Sequence, residues 1–244
     1  MVPLADPFEE AQRILSLARE HNLLLRLMGG VGIGFRCPTI RDKNRFYRDM
    51  DFVSRSGFGM QLESLFKTLG YQADETFNKL NGADRLVFWD ADNNRQIDVL
   101  IDRLDMSHTI DLRRRLDRDE DTLPLADLLL SKLQIFQISD RDLLDIAVLL
   151  VDHKFTDNDN SGINVSYLVN LCAADWGLYH TCQINLHRLL AVDSLLSTHG
   201  IRMPADRVAD LMQRMEAVPK TVNWKLRAMI GERVQWYKLP EEIR

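Results

Sequence analysis

The run RDMDFV, Arg48 to Val53, sets two aspartates one residue apart in a strand-like stretch. Side chains alternate across a strand, so Asp49 and Asp51 share one face while Met50 and Phe52 share the other. Aspartates are rarely buried alone, so the pair needs water, arginines or a metal ion. A third carboxylate, Asp98, stands in DRLVFWDADNNRQIDVLID, which reads as a hairpin turning at DNN. Asp98 lies on the face opposite Ile97, Val99 and Ile101. If the DMD strand and this hairpin are neighbours in one sheet, their apolar sides pack on helices and three carboxylates gather on the other side. Oxygen ligands of this type suit hard cations such as Mg²⁺, which keep waters and substrate phosphates in their remaining positions. Two such ions about 3.5–4 Å apart clamp the attacking and leaving oxygens of a phosphoryl or nucleotidyl displacement.

A glycine pair fits this chemistry. LLLRLMGG reads as a buried strand ending at Gly29 and Gly30, where the missing Cβ lets backbone amides approach a phosphate. GGVGIG is not read as a dinucleotide fingerprint, because a basic loop containing Pro38 is expected next rather than a helix. No GK[ST] is present, so it is not a Walker A loop.

The elements that must position these residues follow from periodicity. PFEEAQRILSLAREH is an amphipathic helix with Asp6 as N-cap and Pro7 at the first helical position. Residues 36–48, RCPTIRDKNRFYR, are expected to be a loop. MQLESLFKTLGY is a helix stopped by Gly70. Beyond about residue 110 the pattern turns helical: PLADLLLSKLQIFQI and DRDLLDIAVLLVDH form two helices joined near Ser139. After the polar loop TDNDNSG, three or four amphipathic helices complete the chain. The fold class is therefore α+β: a mixed or antiparallel sheet flanked by helices, then an α-helical C-terminal region. The expected division is 1–112 for the α/β core and 113–244 for the helical region.

The chain has 244 residues and a formal net charge of -5, which argues against a general nucleic-acid coat and leaves a local basic patch as the alternative. Three cysteines without a CxxC pair suggest a reducing, cytoplasmic setting. MVPLADPFEEAQ has neither the basic start nor the apolar core of a secretory signal, and no membrane span is expected. DNDNSG imitates an EF-hand start, but Leu168 stands where the bidentate glutamate belongs. His180 and His187 have no third ligand to make a zinc site. LRRRLDRDED reads as a solvated helix face or a linker.

Strand–Gly-Gly, Asp-x-Asp and a third strand aspartate, in this order, resemble the nucleotidyltransferase superfamily of polymerase-β-like folds. ADLLLSKLQIFQISDRDLLDIAVLL further resembles the helix pair of AbiEii-type toxin nucleotidyltransferases, a lysine in one helix followed by Arg-Asp-x-x-Asp in the next. The resemblance covers about residues 20–150. It implies that Asp49, Asp51 and Asp98 hold Mg²⁺ or Mn²⁺, that Gly29 and Gly30 approach a nucleoside triphosphate, and that Lys132 contacts the triphosphate. Asp142, and less directly Asp145, would be catalytic or orienting. Residues 113–155 would complete the active site and 156–244 would bind the acceptor or a partner. The implied acceptor is RNA, such as tRNA, or a protein, with a cognate antitoxin as partner. An antibiotic-modifying enzyme acting on an aminoglycoside or lincosamide shares the Gly-Gly and DxD pattern, and a non-catalytic nucleotide- or partner-binding module is a third alternative. The 18 residues between Gly30 and Asp49 exceed the family's usual spacer, and Val31 departs from its usual small residue. Arg36, Arg41, Lys43, Arg45 and Arg48 in that spacer offer cations for phosphates. Taken singly, Lys132 more often reads as a surface lysine on an amphipathic helix, and RDLLD as an i,i+4 charge pattern or a helix start.

Overall fold

The computed structural model describes residues 1–41 and 47–239. The chain divides into two units, Met1–Leu104 with Ile110–Pro124, and Asp105–Thr109 with Leu125–Arg244.

The first unit begins with α1 (Pro7–Glu20), capped by the Asp6 carboxylate, which accepts from the Phe8 and Glu9 amides. Its apolar stripe, Phe8, Ala11, Ile14, Leu15 and Ala18, is buried. There follow β1 (Leu25–Met28), α2 (Gly29–Arg36), α3 (Pro38–Arg41), β2 (Asp49–Ser54), α4 (Gly59–Leu69), β3 (Gln72–Ala73), α5 (Glu75–Asn81), β4 (Arg85–Asp90) and β5 (Arg95–Ile101). The short strands β6 (Arg103–Asp105) and β7 (Thr109–Asp111) form a ribbon. The five-stranded sheet has the order β1-β2-β5-β4-β3. It is mixed: β2 runs parallel to β5, and the other pairings are antiparallel. Leu25, Leu27, Met50, Phe52, Leu86, Phe88, Ile97, Val99 and Ile101 bury one face in a core shared with α1 and α4. Phe66 of α4 stacks on Phe88 with ring centroids 4.4 Å apart. α4 ends at Gly70, whose φ of 97° only glycine adopts without strain.

Three sequence expectations change here. The stretch expected to be a loop from residue 36 carries the end of α2 and the short helix α3, with residues 42–46 outside the described residues, and the glycine run is itself helical, since α2 opens at Gly29. Glycine is a poor helix former, but here it permits close packing. A β-carbon on Gly34 would lie 2.7 Å from the Tyr47 hydroxyl and 2.9 Å from the Phe8 ring. The dinucleotide reading still fails, because the strand after α2 pairs antiparallel with β1. LRRRLDRDED is not a solvated helix face: residues 113–124 run as a strap along edge strand β1, in the first unit. The Leu27 amide donates to the Asp121 carbonyl at 2.8 Å, and the Leu123 amide donates to the Leu27 carbonyl at 3.0 Å. Arg26 Nε donates to the Leu116 carbonyl, while Arg36 and Arg55 pair with Asp119 and Asp117. The strap satisfies backbone groups that an edge strand would otherwise expose.

The second unit is helical: α6 (Leu125–Leu133), α7 (Asp140–Asp152), α8 (Val165–Ala174), α9 (Trp176–Leu190), α10 (Asp193–Thr198), α11 (Ala205–Ala217) and α12 (Val222–Ile230), then a 3₁₀ turn at Gly231–Arg233. A parallel bridge of β8 (Phe155–Thr156) and β9 (Ile163–Asn164) closes the polar loop between them. The α+β class, a mixed sheet flanked by helices and followed by a helical region, is the observed one. No described helix is long and apolar enough to cross a membrane.

Candidate functional site

The parallel pairing of β2 with β5 sets the candidate site. Its register matches Asp49 with Gln96 and Asp51 with Asp98, so all three aspartates lie on the face opposite the core. β1 adds Met28 opposite Asp51, and β4 adds Val87 opposite Asp98. A single row, Met28–Asp51–Asp98–Val87, thus crosses four strands. Asp49 is exposed, Asp51 half-buried and Asp98 buried.

Gly29 ends this row at the turn from β1 into α2, with φ +63°. A β-carbon there would fall inside the Asp51 carboxylate, 2.8 Å from its Cγ and 3.0 Å from its Cβ. Gly29 therefore lacks a side chain for two reasons, backbone conformation and the approach of Asp51. Gly30 follows in the first turn of α2, whose free amides and dipole favour negative charge.

Asp98 has two partners that sequence reasoning passed over. Arg85 Nε donates to Asp98 Oδ1 at 2.8 Å, an Arg85 terminal nitrogen is ion-paired with the same oxygen at 2.6 Å, and Gln96 Nε2 donates to Oδ2 at 2.9 Å. Strand alternation was the available signal: Arg85 shares a face with Val87, and Gln96 shares one with Asp98. Among the described residues, no group of three or more His, Cys, Asp or Glu side chains is arranged to hold a metal ion. The donors suit a hard cation, being carboxylates on one face of adjacent strands, but Asp98 is turned to Arg85.

The spacer cations have diverse surroundings. Arg36 donates to Asp119 at 2.5 Å and to the Thr122 hydroxyl at 2.9 Å. Arg41 lies 4.9 Å from the centre of the Phe8 ring. Arg48 is exposed at the entry to β2. Lys43 and Arg45 lie outside the described residues. Of the three consecutive arginines in LRRRLDRDED, Arg113 is ion-paired with Asp111, Arg114 is exposed and Arg115 is buried.

In the second unit, Lys132 of α6 meets the start of α7. Its ammonium lies 2.7 Å from Asp142 Oδ1 and 3.1 Å from Asp145 Oδ2. Ser139 caps α7 in a reciprocal box: its hydroxyl accepts from the Asp142 amide, and the Asp142 carboxylate accepts from the Ser139 amide and hydroxyl. Burial would raise the Asp142 pKa, but the Lys132 charge and the hydrogen bonds from Lys132 and Ser139 outweigh it and hold the carboxyl below its ordinary value. The sequence therefore located a real lysine–aspartate cluster, and the structure adds that Lys132 is already held by two carboxylates.

No family model matches the chain, and no curated protein is a significant match. Among solved structures, the chain is similar to the solution structure of the antibiotic-resistance factor ANT(2'')-Ia, with 11% identity and a TM-score of 0.41, over 91% of this chain and 94% of that one. A likeness at that level does not establish a shared activity.

Proposed function

We propose that this chain transfers a nucleoside monophosphate from a nucleoside triphosphate to an acceptor hydroxyl, with a divalent metal held by Asp49, Asp51 and Asp98. The observation that supports this best is the row in which Gly29 abuts Asp51 and Asp51 stands in register with Asp98. Mg²⁺ or Mn²⁺, when bound, supplies charge neutralisation at the reacting phosphate. The residues do the remaining work. Asp49 and Asp51 bind from β2. Asp98 binds from β5 and accepts the acceptor's proton at a carboxylate oxygen. Gly29 and Gly30 present amides to phosphate oxygens, and Arg48 adds charge beside them. The triphosphate-contacting role of Lys132 and the orienting role of Asp142 are proposed on the sequence resemblance alone, and Lys132 is paired with Asp142 and Asp145.

Two observations favour a small cationic polyhydroxyl acceptor, of the kind an antibiotic-modifying enzyme uses, over RNA. The net charge of -5 attracts a polycation rather than a polyanion. Two arginines that would form an RNA patch, Arg36 and Arg113, are neutralised by Asp119 and Asp111. The test is incubation with Mg²⁺, each α-labelled nucleoside triphosphate in turn, and three pools: total RNA, a protein extract, and an aminoglycoside and lincosamide panel. Label in a small molecule, lost in Asp51→Asn, is expected. Label in RNA or protein would overturn the acceptor class and support the toxin-type reading with its antitoxin. Triphosphate binding without label in any pool would overturn catalysis in favour of a binding module.

A further inference from the structure

The open face of the sheet carries a second row, two residues along the strands from Asp51 and Asp98. Strand register sets Asp49 beside Gln96, Gln96 beside Trp89, and Trp89 beside Gln72. The row Gln72–Trp89–Gln96–Asp49 therefore runs about 6.5 Å from the first. Both rows lie opposite the core, since residues two apart on a strand share a face, and Leu86 and Phe88 supply the core side of β4. Trp89 is 40% exposed. Among the described residues its ring meets no other ring and no cation, and neither its indole N–H nor the Gln72 amide has a hydrogen-bond partner.

A single exposed hydrophobic residue asks for no explanation. Trp89 differs in being a flat ring in line with uncommitted polar groups, beside the row proposed for phosphate chemistry. β1 runs antiparallel to β2, so the chain leaves Met28 toward the Asp49 end, and Gly29 and Gly30 follow there. Trp89 lies on the other side of Asp49, two strands away, which is about 10 Å at the usual strand spacing. A triphosphate held at the glycine amides would direct its ribose and base across β5 toward β4. We infer that Trp89 is the stacking platform for the nucleobase of the triphosphate, and that Gln72 beyond it reads the edge of the base with one donor group and one acceptor. This rests on the nucleotide reading proposed above, and the stack itself needs no metal.

The test titrates the full chain, in Mg²⁺ buffer, with each nucleoside triphosphate and with inorganic tripolyphosphate, read by calorimetry. Trp89→Ala is expected to bind the preferred triphosphate about 5- to 150-fold more weakly, the scale of one lost base–aromatic stack. Its tripolyphosphate affinity should equal that of wild type. Trp89→Phe keeps a ring and should recover most of the loss, and Gln72→Ala should narrow the differences among the four bases. Equal losses for triphosphate and tripolyphosphate report a structural role and overturn the inference. Unchanged triphosphate affinity in Trp89→Ala overturns it while leaving nucleotidyl transfer standing, and a loss of aminoglycoside affinity instead would give the platform to the acceptor. Absence of binding of either phosphate compound by wild type overturns both readings. If Trp89→Ala does not fold, fluorescence decides: a stacked base quenches the indole beneath it, so triphosphate should quench wild type more than Trp89→Phe. Equal quenching would overturn the stack.

Discussion

Gly29→Ala is the most searching single substitution in the first unit. The backbone there has φ +63°, and placing a residue with a β-carbon in that region costs about 1 kcal/mol. The new β-carbon would also meet Asp51 Cγ at 2.8 Å and Cβ at 3.0 Å. The nearest atom is the Asp51 carboxylate oxygen Oδ2; turning χ1 carries the carboxylate away but not Cβ, so the side chain must turn and the strand must also give, adding about 1–3 kcal/mol as in an overpacked core. The sum, about 2–4 kcal/mol, corresponds to roughly a 30- to 700-fold faster opening of β2. Amide hydrogen exchange of β1, β2 and β5, read by mass spectrometry, measures this directly. The control is Gly59→Ala at the start of α4, where nothing lies within 4 Å of a built β-carbon; it should gain about 0.5–1 kcal/mol. If Gly29→Ala opens no faster than Gly59→Ala, the close approach of Gly29 to Asp51 is not what shapes this turn.

Three further outcomes are expected. Lys132→Ala should destabilise the second unit by about 3 kcal/mol, since Asp145 is fully enclosed and Asp142 is half-buried; urea unfolding followed by Trp176, Trp224 and Trp236 fluorescence reports it, and a loss under about 1 kcal/mol would mean the pair is solvated. Asp142 has a folded pKa below its unfolded value, so its contribution is present above about pH 4 and is lost as pH falls through the folded pKa. The stability gap between wild type and Asp142→Asn should therefore close on acidification, and a gap that widens contradicts the assignment. The Tyr71 hydroxyl donates to buried Glu10 at 2.5 Å, and burial with that bond raises its pKa; Tyr71→Phe should cost about 1–3 kcal/mol in thermal melts, and no loss would mean that Glu10 is satisfied without it.

Much of the first unit was readable because its signals are local. Asp6-Pro7 started α1, Gly70 stopped α4, and alternation around Asp98 gave β5 its two faces. The features that escaped depend on distant partners. α2 contains Gly29, Gly30, Gly32 and Gly34, which by propensity argue against a helix; packing against Phe8 and Tyr47 reverses that preference. The strap from Arg113 to Pro124 looked like a solvated run, because its acids pair with Arg19, Arg36 and Arg55, far away in sequence. The candidate site shows the same division. Residue types and order nominated Asp49, Asp51 and Asp98. The parallel register that aligns Asp51 with Asp98, and the diagonal reach of Arg85, come only from strand pairing.

The central claim is transfer of a nucleoside monophosphate by metal held at Asp49, Asp51 and Asp98. The most direct measurement supplies nucleoside triphosphate labelled at either the α- or the γ-phosphate, with Mg²⁺ and the acceptor pools, and follows where each label goes. The account predicts that α-label enters the acceptor while γ-label leaves as pyrophosphate, and that Asp51→Asn abolishes both. Entry of γ-label into the acceptor, or transfer unimpaired in Asp51→Asn, would contradict it.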